Sequence, residues 1–110
     1  MEFAAILLHV IISVGSHVVA LLEDRSVRCW GPNDYGQCSV PVDLGVVTSV
    51  SAGGYHTVAL LEDGTVRCCG YNGFGECDVP EDLGVVTSVA AGFGHTVVAL
   101  LEDGSVRCWV

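Results

Sequence analysis

At 110 residues the chain has room for one domain, and with 51% hydrophobic residues it is too apolar to stay disordered. Four Arg and no Lys stand against 13 acids, a net charge of −9, so the clustered cations of a nucleic-acid surface are missing and a basic protein partner is favoured.

The first residues carry an apolar run from Phe3 to Ile12, broken by His9. Glu2 stands where a secretory signal would carry positive charge, and no small-x-small cleavage site follows. Ser13, Gly15, Ser16 and His17 interrupt the run before it could cross ~30 Å of hydrocarbon. Neither a cleaved signal nor a membrane span is expected, and the expected location is intracellular, in cytoplasm or nucleus.

From about Ser13 the sequence repeats itself. His17, His56 and His95 are each 39 residues apart, and the same interval separates Cys29 from Cys68, Cys38 from Cys77 and Pro41 from Pro80. A period near 40 built from short β-branched runs marks a repeat architecture. Three units follow: an atypical first at 1–43, a second at 44–82, and a third at 83–110 that stops inside the pattern.

Within the second unit, Val46 to Ala52 is a β-branched run ending in Gly53-Gly54, a strand and then a turn. His56 to Leu61 is a second strand. Asp63-Gly64 is a hairpin signal, and Val66 to Cys69 returns. Gly70 to Gly75 is a loop, and Pro80, which cannot donate to a ladder, belongs to a connection. The strands are apolar on both faces, which one unit cannot cover but stacked units can. The expected fold is all-β, a partial β-propeller of about two and a half to three antiparallel blades.

The copies differ in places. Arg25 occupies the turn position of Gly64 and Gly104, where a side chain at positive φ costs about 1 kcal/mol. Val14 stands in place of Gly53 and Gly92. The third copy carries one extra valine, at 97 or 98. An insertion inside a strand flips every later side chain unless a bulge absorbs it, so a bulge or frayed strand is expected over 96–99. Val110 falls where a glycine loop should begin, which suggests a fragment of a longer chain.

Gly92-Phe93-Gly94-His95-Thr96-Val97, Leu101-Glu102-Asp103-Gly104-Ser105-Val106, Cys29-Trp30-Gly31-Pro32-Asn33 and Tyr35-Gly36-Gln37 together resemble the repeat of the regulator of chromosome condensation family. The continuation Gln37-Cys38-Ser39-Val40-Pro41 is similar to the shorter blades of the bacterial β-lactamase inhibitor propeller. The resemblance implies a β-propeller, usually of seven blades. Its members act as guanine nucleotide exchange factors, as substrate-recruiting parts of ubiquitin ligases, or as inhibitory binding modules. Their working residues lie in loops that vary between members, so no catalytic residue carries over. Cys69 departs from the Trp at 30 and 109, and Glu76 from Gln37.

The remaining chemistry is sparse. His17, His56 and His95 hold one place in successive blades and read as strand-opening structural residues beside Gly64, Gly104, Trp30 and Trp109, not as a metal set. The cysteines read as thiols in small apolar slots, although Cys29 with Cys38 and Cys68 with Cys77 could each close a loop by a disulfide in an oxidising compartment. The pairs Glu23-Asp24, Glu62-Asp63 and Glu102-Asp103 recur at hairpin tips, as turn formers or as an acidic rim. Loop residues Asn33, Asp34, Tyr35, Tyr71, Asn72 and Phe74 are candidate partner contacts, since aromatics on a rigid scaffold make good anchors.

The expected function is a non-catalytic protein-interaction module, with no cofactor, no metal, no nucleic acid and no membrane. Its partner is a basic protein, a small GTPase, or a second copy meeting open blade faces. A guanine nucleotide exchange regulator, the substrate-recognition part of a ubiquitin ligase and a purely structural fragment are the alternatives.

Overall fold

The computed structural model describes residues 8–14, 17–31, 33, 36, 38–40, 44–73, 75, 77–92 and 97–109. Among them nine strands form three separate three-stranded sheets. The first blade is β1 (Leu8–Val14), β2 (His17–Leu22) and β3 (Val27–Trp30). The second is β4 (Val47–Ala52), β5 (His56–Leu61) and β6 (Val66–Gly70). The third is β7 (Val86–Ala91), β8 (Val97–Leu101) and β9 (Val106–Trp109). Every sheet is an antiparallel meander in chain order, as tight turns between short strands require. The expected partial propeller is the fold found.

The Glu-Asp-Gly tips close β5 onto β6 with three-residue turns. The Gly64 N–H donates to Leu61 O at 3.0 Å and the Leu61 N–H to Thr65 O at 2.9 Å. The turn needs a left-handed residue in third place, filled by Gly64 at φ 85° and Gly104 at φ 87°. Arg25 adopts φ 71° in the first blade, the one positive-φ non-glycine residue among those described.

Each opening strand is irregular at one place. Register shifts fall between Leu8 and Val10, Val47 and Ser49, and Val86 and Ser88. The cause is legible in Val47-Thr48-Ser49-Val50. Side chains alternate along a strand, so residues three apart face opposite ways. A bulge at Thr48 brings Val47 onto the face of Val50 and Ala52, and all three enter one core cluster. The bulged threonine donates its hydroxyl to the opposing carbonyl: Thr48 Oγ1 to Leu60 O and Thr87 Oγ1 to Leu100 O, both 3.2 Å.

The bulge expected over 96–99 is not found in its described part. Val97, Val98 and Ala99 pair without interruption with Ala91, Ala90 and Val89. Four residues separate Ala52 from its partner Thr57, but five separate Ala91 from Val97, so the extra residue falls between the strands. An insertion there leaves the ladder and the facing of every side chain intact, which is why it is tolerated. Thr96 itself lies outside the described residues, as do His95, Pro41 and Val110.

Two apolar cores lie between blades. Val19 and Leu21 of β2 meet Leu44, Val47, Val50, Ala52 and Ala59 of the second blade. Val58, Leu60 and Val66 of the second blade meet Leu83, Val86, Val89, Val97 and Ala99 of the third. β5 therefore serves both, sending Ala59 one way and Val58 and Leu60 the other. Polar links repeat across the joints. The Val47 N–H donates to Arg25 O at 3.2 Å and the Val86 N–H to Gly64 O at 3.0 Å, so each hairpin tip anchors the next blade. The Ala91 N–H also reaches Ser51 Oγ at 2.9 Å.

Candidate partner-binding surfaces

The loops after β3 and β6 are built around an asparagine. Asn33 Oδ1 accepts from the Cys38 N–H at 2.8 Å, and Asn72 Oδ1 from the Cys77 N–H at 2.8 Å. The amide nitrogens donate onward, Asn33 Nδ2 to Ser39 Oγ at 3.2 Å and Asn72 Nδ2 to Asp78 Oδ1 at 2.8 Å. Both side chains thus hold their own loops in shape. The Tyr71 ring lies against Gly73, whose missing side chain makes room for it. Asp34, Tyr35 and Phe74 lie outside the described residues. Two aromatics at this end are more exposed than the repeat pattern suggested: Trp30 at 51% and Tyr55 at 48%. Tyr55 follows Gly53-Gly54 in a turn whose glycines signal conformation and say nothing of the side chain beside them.

The opposite end carries the hairpin tips. Glu23, Asp24, Glu62, Asp63, Glu102 and Asp103 are all exposed there. Each aspartate accepts twice through Oδ1, from the hydroxyl and the N–H two residues on. In the second blade Thr65 Oγ1 lies at 2.6 Å and Thr65 N at 3.0 Å, and Ser26 and Ser105 repeat the arrangement. The hydroxyl bond, with the N–H second, holds all three carboxyls below their usual range.

The histidines are buried. His17 Nε2 lies 3.0 Å from Thr57 Oγ1 across the first joint, and His56 is equally enclosed. Burial lowers the His17 pKa, a hydrogen bond with the His56 backbone raises it in part, and the charge of His56 lowers it again. Among the described residues no group of three or more His, Cys, Asp or Glu could hold a metal ion, and no helix is long and apolar enough to cross a membrane.

Among the described residues the second and third blades differ on their outward faces. Leu60 and Val66 are 3% and 7% exposed beneath the third blade. Their counterparts in register, Leu100 and Val106, are 41% and 60% exposed. The third blade repeats the residues of a covered face and leaves them open. Val46 and Val85, in the connections beside the hairpin tips, are also exposed. At the first joint, Cys69 occupies the register position of Trp109, which packs against the second core. The smaller side chain borders a crevice of about 10 Å³, shared with Val27, Val40, Leu44 and Cys68 and large enough for about one water.

Solved structures share this fold. Prp20p from Saccharomyces cerevisiae, studied for its binding to Gsp1p and histones, is 25% identical, with a TM-score of 0.81 over 93% of this chain and 33% of that one. The CRINKLY ectodomain of the Arabidopsis thaliana receptor kinase ACR4 is 27% identical, with a TM-score of 0.76 over 93% of this chain and 36% of that one. Human WBSCR16 is 24% identical, with a TM-score of 0.74 over 86% and 31%. The chain spans about a third of the length of these structures. A sequence comparison with curated proteins finds no match. The profile of the regulator of chromosome condensation (RCC1) repeat matches residues 13–37, 47–76 and 86–109, one stretch in each blade. With the repeat profile and the blade geometry in agreement over most of its length, the chain belongs to the regulator of chromosome condensation repeat family.

Proposed function

We propose that the chain is a non-catalytic protein-interaction module whose docking surface is the outward face of the third blade. The observation that supports this is the exposure of Leu100 and Val106, where the same positions of the second blade form a core. Buried apolar area stabilises by about 25 cal/mol per Å², so a face of this composition gains from being covered. Its natural complement is the inward face of another blade, which carries the pattern of Leu83, Val86 and Val89. Within one copy those residues are already covered by the second blade, so a second copy of the chain meets the open face with its own, across a two-fold axis. The experiment is light scattering on the wild type and on Val106→Asp, with circular dichroism to verify that the variant folds. Association of the wild type that the substitution removes supports the reading. A wild type that stays monomeric at high concentration removes it.

A second reading is regulation of a small GTPase, since Prp20p was studied for binding to Gsp1p. The exposed acidic tips and the net charge of −9 suit a basic partner surface. Nucleotide release from a panel of small GTPases tests it, and a folded sample that accelerates none of them excludes it.

A further inference from the structure

The cysteines form a pattern that a role in partner binding does not explain. Cys29 on β3 places its sulfur 2.7 Å from that of Cys38. In the next blade, Cys68 on β6 lies 2.8 Å from Cys77. The members of both pairs stand as thiols. Neither approach depends on the sulfurs themselves. The strand cysteines are fixed by the ladder, Cys29 opposite Val19 and Cys68 opposite Val58. The loop cysteines are fixed by the asparagine that grips the N–H of Cys38 or Cys77. Cys29 and Cys68 also pack against the two interblade cores. A disulfide bond is about 2.05 Å long, so small side-chain rotations bring either pair to bonding distance. The same backbone device, built twice from strand, asparagine and loop, is what a sulfur-bridging site needs.

We propose that Cys29–Cys38 and Cys68–Cys77 are two built-in disulfide sites, each locking an asparagine loop onto the outer strand of its blade. The oxidant is a small disulfide such as oxidised glutathione. The thiolate of Cys38 attacks one of its sulfurs and expels one glutathione thiolate. Cys29 then loses its proton to solvent and displaces the second glutathione from Cys38. Two thiols and one disulfide become one protein disulfide and two glutathione thiols, with two electrons passed to the oxidant. Burial, then the neighbouring Cys38, pushes the Cys29 thiol up to about 12, which disfavours Cys29 as the initiating thiolate. The pairs are thiols in a reducing compartment and bridged in an oxidising one.

Cys69 is the competitor, since it is near enough to act electrostatically on Cys29 and to feel Cys38 and Cys77. The test equilibrates the folded chain with a mixture of oxidised and reduced glutathione. The sample is then quenched with acid, denatured, alkylated with N-ethylmaleimide and weighed. Of the six cysteines, two, Cys69 and Cys108, should take label, against all six after dithiothreitol. Trypsin cuts at Arg28, Arg67 and Arg107 and separates the two pairs; chymotrypsin cuts at Tyr35 and Tyr71 and leaves each bond joining two peptides. Cys69→Ser should keep both linkages, and Cys38→Ser should keep only the second. Oxidation in urea should scatter the linkages. Six labels in the folded oxidised sample, or a linkage through Cys69, overturns the proposal.

Discussion

Gly64 and Gly104 share a turn and a φ within a few degrees, but among the described residues the next blade packs against Gly64 and nothing packs against Gly104. Replacing either by Ala places a side chain at positive φ, at a cost of about 1–2 kcal/mol. The loss of freedom in the unfolded chain returns about 0.4–1 kcal/mol of that. Nothing lies within 4 Å of a Cβ at Gly104, so Gly104→Ala should cost about 1 kcal/mol in all. A Cβ at Gly64 would meet Val85 Cγ1 at 2.7 Å and Val85 Cα at 3.3 Å. The side chain of Val85 can turn away, being 43% exposed, but its backbone cannot. Pushing that backbone away lengthens the bond from the Val86 N–H to Gly64 O. Overpacking and a weakened hydrogen bond add about 1–2 kcal/mol, which puts Gly64→Ala near 2–3 kcal/mol. Urea unfolding followed by far-ultraviolet circular dichroism measures both. Equal losses for the two variants would refute the blade-to-blade contact at the hairpin tip.

The same comparison between blades yields further expectations. Leu60→Ala, in a covered core, should cost about 2–5 kcal/mol, and Leu100→Ala, on the open face, well under half as much in dilute solution by the same urea assay. Arg25→Gly should raise stability by up to about 1 kcal/mol, because it removes the left-handed side chain at the first tip. Thr87→Val should cost about 1 kcal/mol through the lost bond to Leu100 O, with no change in strand content. Stability should also depend on acid. His17 is harder to protonate folded than unfolded, so its contribution is whole above the unfolded value of about 6.5 and falls as pH drops below it toward the folded value. The three tip aspartates are easier to ionise when folded, so theirs is whole above about 4 and is lost as pH falls through the lowered folded values. A urea midpoint that stays flat from pH 7 to about 3 would contradict both.

The fold was readable because its signals were local and repeated. The Asp-Gly tips, the two-faced strands and the 39-residue interval each point to the same blade. The bulge at Thr48 was also legible, in valines three residues apart, but a continuous β-branched run hid that spacing behind ordinary strand character. The extra residue of the third copy reads as part of the strand because its valines are there, whereas the pairing of Ala91 with Val97 puts it ahead of the ladder. The stack of unequal copies implies open end faces, and the third blade carries one of them. Leu100 and Val106 look the same in sequence as Leu60 and Val66, and only packing distinguishes them. Asn33 and Asn72 read from sequence as partner contacts, and the structure adds that their carboxamides shape their loops.

Hydrogen exchange at two protein concentrations tests the docking surface most directly. If the outward face of the third blade is where partners bind, the amides of Val97–Leu101 and Val106–Trp109 should gain protection as concentration rises, while those of β5, already enclosed on both sides, should not change. Protection that instead gathers in the loops around Asn33 and Asn72, with β8 and β9 unaffected, would contradict it.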